Sequence, residues 1–371
     1  MLLRGIARIA LVILILSTVL LPGDSPYPAN SVDGISQRYL FSIAGWELRH
    51  LLSGNNTPSK QDTIQVLKFF GLATAAQGPS ADRDQLKPVV QDILKQQLAQ
   101  VLRDQGLTTS FGPFSALLFP PLRFELTELP FVLAVSPREK IELLQTVLLD
   151  PSLSEEETAK IEADVEKLGL SAVVERTGGV AVYPSAIPEG QPLQSTLSAI
   201  AHEWFHQYLF FRPLGRAYWS NYEMRTINET VADMAGQEAG RLVYERYYGD
   251  LTESRKSGTQ TAGVPSFDFN KEMRGTRATV DFYLEHGMVA EAERYLEERR
   301  LFFIRNGYYI RRLNQAYFAF HGSYGDDPAS VSPVSQQLAE LRRQSGSLGE
   351  FVKLVSQVSN SEELNRLVPP Q

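Results

Sequence analysis

Apolar positions recur at helical spacing along most of this chain. In Ser36–Leu52 leucine, isoleucine and alanine return every three or four residues, and Gly54-Asn55-Asn56 follows as a stop signal. The same spacing predicts further helices over Lys60–Leu72, Asp84–Asp104, Ser154–Leu168, Lys271–Glu285, Val289–Arg305, Tyr309–Phe320, Val334–Gln344, Leu348–Val358 and Ser361–Leu367. The chain is therefore expected to be predominantly helical.

Strand patterns are concentrated in the middle of the chain. Phe119–Leu126 and Phe131–Val135 are short apolar runs punctuated by proline, which predicts a small β-sheet. Two β-rich runs, Ala172–Arg176 and Val180–Tyr183, flank Gly178-Gly179 and predict a hairpin. The expected fold class is therefore α+β, predominantly helical, with a small sheet.

Composition narrows the possible functions. A net charge of −7 and a pI near 5.4 give no electrostatic footprint for nucleic acid. The chain has no cysteine, so it forms no disulfides, and a zinc site could use only histidine and carboxylate ligands. With 43% hydrophobic and 21% charged residues, an ordinary globular core is expected.

The N-terminus has the pattern of an export segment. Basic residues precede an uncharged, mostly apolar run at Ile9–Leu21, so residues 1–21 are predicted to be a signal peptide or a signal-anchor helix, with a linker at 22–34. The run is short for a bilayer span of about 20 residues, yet no good cleavage site follows it, and both alternatives stay open. Either one predicts a location outside the cytoplasm, as a single-pass cell-membrane protein held by this segment or as a secreted one. The lack of cysteine favours a bacterial envelope.

Candidate chemistry is concentrated in Ala201–His206, an H-E-x-x-H box. On a helix, His202 and His206 lie on one face, one turn apart, so both can reach one zinc ion. Glu203 between them can act as a general base on water. The alternative is a packed helix whose histidines bind neighbouring carbonyl groups.

A second segment supplies what such a site lacks. Hydrolytic zinc sites use three protein ligands and one open position, and Glu229 is the candidate third ligand. Asp233 lies one turn further on and can accept the free N–H of a ligating imidazole, which fixes the tautomer. Small residues make this helix slim enough for close helix packing, at Ala232, Ala235, Gly236, Ala239 and Gly240. Taken alone, Glu229 and Asp233 would fit a solvated helix face.

These boxes resemble the pattern of the gluzincin metallopeptidases, which pair H-E-x-x-H with a downstream N-E-x-x-x-D. The residues that match are His202, Glu203, His206, Asn228, Glu229 and Asp233. The resemblance implies a zincin-type active-site helix pair in an α/β core, zinc bound by His202, His206 and Glu229, and Glu203 as general base. It also implies a peptide or protein substrate. The expected domains are an N-terminal helical region at 35–110 and a zincin-like metallopeptidase domain with a helical C-terminal part at 111–371.

Other site residues are candidates by the same resemblance. The family uses a tyrosine or histidine to steady the tetrahedral intermediate, for which Tyr324 and His321 are candidates; their surroundings are also similar to the end region of bacterial predicted aminopeptidases. In zinc peptidases a strand before the active-site helix commonly forms the cleft wall, which makes Val180, Ala181 and Val182 candidates for pairing with substrate. An edge strand with no ligand role explains that segment equally well.

Two competing functions remain at this stage. A non-catalytic envelope protein could use the gluzincin scaffold for binding or assembly, and a missing ligand or base would indicate it. A purely structural zinc site would be closed by four protein ligands, and the sequence offers three obvious ones. All parts of the hydrolytic pattern are present, so the sequence predicts an exported or membrane-tethered zinc metallopeptidase.

Overall fold

The computed structural model describes residues 31–43, 46, 62–73, 81–111, 114–253, 267–322 and 333–368. Within them the predominantly helical α+β class is confirmed. The helices are α1 Val32–Ser36, α2 Asp62–Ala73, α3 Ala81–Asp104, α4 Glu155–Glu166, α5 Leu193–Phe210, α6 Pro213–Arg216, α7 Tyr222–Glu253, α8 Phe269–Glu285, α9 Val289–Arg305, α10 Gln315–His321, α11 Val334–Gln344, α12 Leu348–Val355 and α13 Ser361–Leu367.

The strands form three small sheets in the described part of the chain. They are β1 Thr109–Phe111, β2 Phe114–Leu117, β3 Phe124–Thr127, β4 Phe131–Pro137, β5 Gln145–Leu149, β6 Leu170–Arg176 and β7 Ser185–Pro188. In the largest sheet β4 is central and antiparallel to both β5 and β6, with Leu133 opposite Val147 and Val174. β3 pairs with β7 in parallel, and β1 with β2 antiparallel.

The predicted hairpin around Gly178-Gly179 is wrong. β6 pairs with β4, and the following segment contributes only an isolated bridge between Val180 and Ala186. The segment turns away from the sheet because Val182 is 4% exposed in a small apolar cluster that includes Trp46. The alternation of residue types predicted a strand here. Burial of Val182 in the cluster around Trp46 determines the path of the chain instead.

Several element boundaries also differ from the sequence predictions, and three of them have a clear structural cause. The predicted linker ends early, because α1 begins at Val32 and the Ser31 hydroxyl accepts a hydrogen bond from the Gly34 N–H. The predicted helix from Ser36 is interrupted by a 3₁₀ turn at Gln37–Tyr39, after which Leu40 bridges to Leu149 at the edge of the sheet.

The third boundary is the start of α10, at Gln315 instead of Tyr309. Arg311, before the helix, donates two hydrogen bonds to the fully buried carboxylate of Glu162 on α4, and Arg312 also lies against that carboxylate. These long-range ion pairs hold residues 309–314 in a non-helical path, which local spacing does not reveal.

The largest apolar core crosses the predicted boundary at residue 110. Phe69 of α2 and Leu98 of α3 belong to the same buried cluster as Trp204 of α5, Ile227 of α7 and Phe351 of α12. The N-terminal helices thus pack directly against the helices that carry the candidate chemistry. The division of the chain into two domains at residue 110 stays a prediction.

Helices α5 and α7 touch backbone to backbone. A Cβ added to Gly236 would lie 2.9 Å from the His202 backbone nitrogen, and one added to Gly240 would lie 2.6 Å from that of Ser198. Ala232, Ala235 and Ala239 on the same helix are fully buried. Small residues therefore set the separation of the two helices that carry His202 and Glu229.

The predicted membrane location is corrected by the structure. In the described ranges, no helix combines the length and the apolar character needed to cross a bilayer, so a single-pass anchor is not supported. The apolar run on which that expectation rested, within residues 1–21, lies outside the described residues.

Replacing Gly240 by alanine tests the helix contact. Gly240→Ala should lower the free energy of unfolding by about 1–3 kcal/mol, because its methyl group overlaps the Ser198 backbone. The matched control is Gly249→Ala on the same helix, where a Cβ meets nothing within 4 Å. That change should raise the free energy of unfolding by about 0.5–1 kcal/mol, because alanine favours the helix more than glycine does. Urea unfolding midpoints measure both, and equal shifts in the two variants would contradict the proposed packing.

Candidate metal centre

Helix α5 is fixed in the core by the face opposite its histidines. Trp204 and Phe205 are fully buried, and the Trp204 indole N–H donates a hydrogen bond to the Pro120 carbonyl at 2.9 Å. With these side chains turned inward, helical geometry directs His202 and His206 to the other face, towards α7. The imidazole side chains are each 15% exposed.

The two histidines and Glu229 meet at one point. The Nε2 atoms of His202 and His206 are 3.0 Å apart, and Glu229 Oε2 lies 3.9 Å from the first and 3.2 Å from the second. These potential ligand atoms all lie within 4.8 Å of one another, which is a spacing that can hold a metal ion. The donor set is two imidazoles and one carboxylate.

The facing atoms offer lone pairs rather than protons. The Asn228 side-chain carbonyl lies 3.0 Å from His206 Nδ1, so the imidazole hydrogen is used there and Nε2 is left as an acceptor. Glu229 Oε2 is buried and has no hydrogen-bond partner within the described residues. A buried acceptor among other acceptors is costly unless a proton on His206 Nε2 or a metal ion lies between them, and the set of two imidazoles and a carboxylate fits a metal ion.

The charges of the ligand residues depend on one another. Burial alone would lower the pKa of His206, but the adjacent Glu229 carboxylate outweighs it and raises that pKa to about 9. Burial would likewise raise the pKa of Glu229, yet the facing imidazoles and the Tyr218 hydroxyl lower it to about 2. The pocket therefore stabilises positive charge beside an ionised carboxylate.

Glu203 lies in the same cleft, packed against the backbone after β6. It is 6% exposed, and a Cβ built on Gly179 would lie 2.2 Å from its Oε1 atom. Only glycine fits this position without displacing the carboxylate. Burial raises the pKa of Glu203, whereas the positive potential of the His202 and His206 rings opposes that rise.

Tyr218, which the sequence analysis missed, is part of the centre. It lies in the turn between α6 and α7, and its hydroxyl donates a 2.5 Å hydrogen bond to Glu229 Oε1. Burial and the Glu229 charge raise the pKa of Tyr218 well above its usual value, so the hydroxyl keeps its proton. Its only sequence signal was a position between the two boxes.

Two residues, Asp233 and Asn228, lie behind the imidazoles, where the sequence analysis predicted Asp233 alone. Asp233 Oδ1 lies 3.7 Å from His202 Nδ1, beyond a normal hydrogen bond, and accepts a 2.6 Å bond from Gln237 through Oδ2. Asn228 accepts from His206 instead. The pattern N-E-x-x-x-D thus places one polar oxygen behind each imidazole.

A cleft of about 1620 Å³ opens beside the centre. Its lining includes His202, Glu203, Tyr218, Trp219, Arg225, Glu229, Asp233 and, on α10, His321. The His321 ring lies against Tyr317, and burial lowers the pKa of His321 to about 4, so the imidazole is neutral near pH 7. Tyr324, the other predicted donor, lies outside the described residues.

Val180, Ala181 and Val182, the predicted substrate-binding residues, do not form the predicted strand, and their role stays a prediction. Val180 uses both its N–H and its carbonyl on Ala186, and the Val182 carbonyl accepts a 2.6 Å bond from the Gln207 side chain. Within the described residues, this part of the cleft wall is formed by the four residues directly before Val180, Arg176–Gly179. The chain turns away from the cleft after Gly179, so residues 180–182 do not line it.

Comparisons with known proteins add no family assignment. No family model matches the chain, and no curated protein or solved structure matches it. The functional conclusions therefore depend on the geometry of the centre itself.

Metal titration of the purified protein tests this centre. We expect one metal ion per chain, bound more weakly by more than about 100-fold in His206→Ala and Glu229→Ala, since losing a ligand costs more than losing a ligand's hydrogen-bonding partner. His286→Ala is the control, because His286 is exposed at the end of α8 and bonds the Phe282 carbonyl. Competition with a chromophoric chelator measures affinity. Unchanged affinity in both ligand variants would place the metal elsewhere.

Proposed function

We propose that this protein is a zinc-dependent peptidase in which Glu203 is the general base. The observation that carries the proposal is that a buried carboxylate, Glu203, lines the same open cleft as two imidazoles that converge with Glu229 on one point. A structural zinc site needs four protein ligands, and the converging cluster found in the described residues has three. His202 and Glu229 line a cleft that is large enough for a peptide.

Zinc is the proposed metal because of the donor set and its spacing. Two imidazoles and one carboxylate are a ligand set of hydrolytic zinc sites. Hard cations such as calcium and magnesium favour all-oxygen ligands, which this centre lacks. When bound, zinc supplies Lewis-acid polarisation of a carbonyl group and lowers the pKa of water to roughly 7.

Glu203 would move the proton in this reaction. Its carboxylate accepts a proton from the attacking water and then donates the same proton to the leaving amine. The close fit against Gly179 limits the positions of this carboxylate and so fixes the distance over which the proton moves.

Tyr218 is our proposed donor to the oxyanion. Its hydroxyl stays protonated and lies at the cleft beside Trp219, and it would turn its single O–H from Glu229 to the oxyanion during the reaction. An O–H donor near the reacting carbonyl stabilises the negative charge that develops on its oxygen. His321 lines the same cleft and stays the alternative donor.

Turnover of a peptide library, measured beside metal content, tests the proposal. Glu203→Gln should keep one zinc per chain, because the residue is no ligand, and should lower kcat/KM by about 10²- to 10⁴-fold. Turnover that survives Glu203→Gln would contradict the role of Glu203. Zinc bound by the wild-type protein without turnover of any peptide would favour a non-catalytic binding protein instead.

Two neighbouring glycines provide a sharper test. Gly179→Ala should displace the Glu203 carboxylate and reduce kcat by about 10²-fold with zinc content unchanged, because misplacement of a catalytic group by about 1 Å has that effect. In Gly178→Ala the new methyl group meets nothing within 4 Å, so activity should be retained. Equal activity of the two variants would exclude the proposed contact.

A further inference from the structure

Arg225 is a cation in the cleft with no anionic partner among the described residues. It lies on α7, one turn before Glu229, and lines the cleft together with His202 and Glu203. Its Nε atom is buried and has no hydrogen-bond partner, and no ion pair forms to its guanidinium in the part of the chain that the structure describes. A buried donor of this kind is costly to leave unpaired.

The position of Arg225 in its helix adds to that cost. Arg225 is in the first turn of α7, where the helix dipole disfavours positive charge. Two aromatic rings hold the side chain in place, since the guanidinium carbon lies 5.4 Å from the ring centroids of both Tyr218 and Trp219. Contact with ring faces leaves the N–H groups at the edge of the guanidinium available for a ligand.

Three other arginines of the cleft are already paired with carboxylates, and a fourth, Arg176, is solvent-exposed and lies over the Phe131 ring. Arg342 forms two hydrogen bonds with Glu238, Arg241 pairs with Glu245, and Arg343 pairs with Glu340. Their charge is therefore balanced within the protein, whereas that of Arg225 is balanced by neither a carboxylate nor full solvent exposure. An anionic group on the substrate would supply the missing partner.

We propose that Arg225 binds a substrate carboxylate close to the scissile bond. The proposal rests on the peptidase function proposed above and specifies its substrate class: peptides with a carboxylate adjacent to the cleaved bond. Arg225 and the proposed metal ligand Glu229 are four residues apart on α7, so their side chains lie on the same side of the helix and both line the cleft. A guanidinium binds a carboxylate through two parallel hydrogen bonds, which neutral groups cannot replace.

Trp219 completes this subsite. It is 68% exposed beside Arg225 and presents an apolar surface to the cleft. A side chain of the substrate can pack on this ring while its carboxylate meets the guanidinium. The carboxylate has two possible sources, the C-terminus of a peptide or an internal aspartate or glutamate.

Binding to an inactive protein separates these sources. Zinc-loaded Glu203→Gln is titrated, by fluorescence anisotropy, with dye-labelled alanine-based pentapeptides that carry a free C-terminus, a C-terminal amide, or an amide together with one internal aspartate or asparagine. One carboxylate peptide should bind at least about tenfold more tightly than its neutral match, as expected for charge-assisted hydrogen bonds. The peptide pair that shows this preference identifies the source of the carboxylate.

Substitution of Arg225 assigns that preference. In the Glu203→Gln background, Arg225→Gln should reduce the carboxylate preference to less than about threefold, and Arg225→Lys should restore part of it, since charge returns without the paired geometry. Arg343→Gln is the control, because it removes another cation of the cleft whose side chain is 73% exposed. Zinc content and melting temperature are measured for every variant.

The outcomes distinguish this inference from the proposed function. A carboxylate preference that Arg225→Gln leaves unchanged would overturn the inference, as would tight binding without any preference. If wild-type protein cleaves peptides without discriminating carboxylates, the peptidase function stands and the Arg225 subsite fails. If carboxylate binding depends on Arg225 but no peptide is cleaved, the subsite stands and the peptidase function fails. Absence of both binding and cleavage overturns both.

Discussion

The close contact between α5 and α7 is the constraint on which the candidate centre depends. Gly236 lies against the backbone of His202, so the two helices approach to a distance that any side chain at this position would prevent. At that distance Glu229, two turns earlier on α7, reaches the Nε2 atoms of both histidines. The large aromatic side chains of α5 are turned into the opposite core, which leaves this face for small residues and ligands. Packing thus determines ligand geometry here.

Electrostatics then determines what the centre accommodates. Two carboxylates, Glu203 and Glu229, are buried with two imidazoles in a space lined by acceptor atoms. On the outer side of the ligands, the Asn228 carbonyl accepts the His206 N–H and the Tyr218 hydroxyl donates to Glu229. The inner side is therefore left with lone pairs. Such a group is stable only with positive charge between its members. The zinc site and the hydrolytic chemistry that we propose follow from this arrangement.

Local signals in the sequence predicted the helices well, because their patterns and caps are local. Helices α9, α11 and α13 have the predicted bounds, and Ser154 caps α4 through a capping box. The spacing of H-E-x-x-H and of Glu229 correctly predicted which side chains converge. Contacts made over long sequence distances were not predictable: Gly179 was interpreted as a turn residue, and Tyr218 carried no motif. The predicted strand at residues 180–182 did not form because burial of Val182 redirects the chain.

The central proposal is that His202, His206 and Glu229 bind one zinc ion through lone pairs that face one another. The most direct measurement is a crystal structure of the zinc-loaded protein with anomalous scattering at the zinc edge. We expect one zinc site, bound through Nε2 of both histidines at about 2.0–2.1 Å and through a Glu229 oxygen at about 2.0–2.2 Å, with one position open to the cleft. Zinc at any other position, or a site closed by a fourth protein ligand, would contradict the proposal.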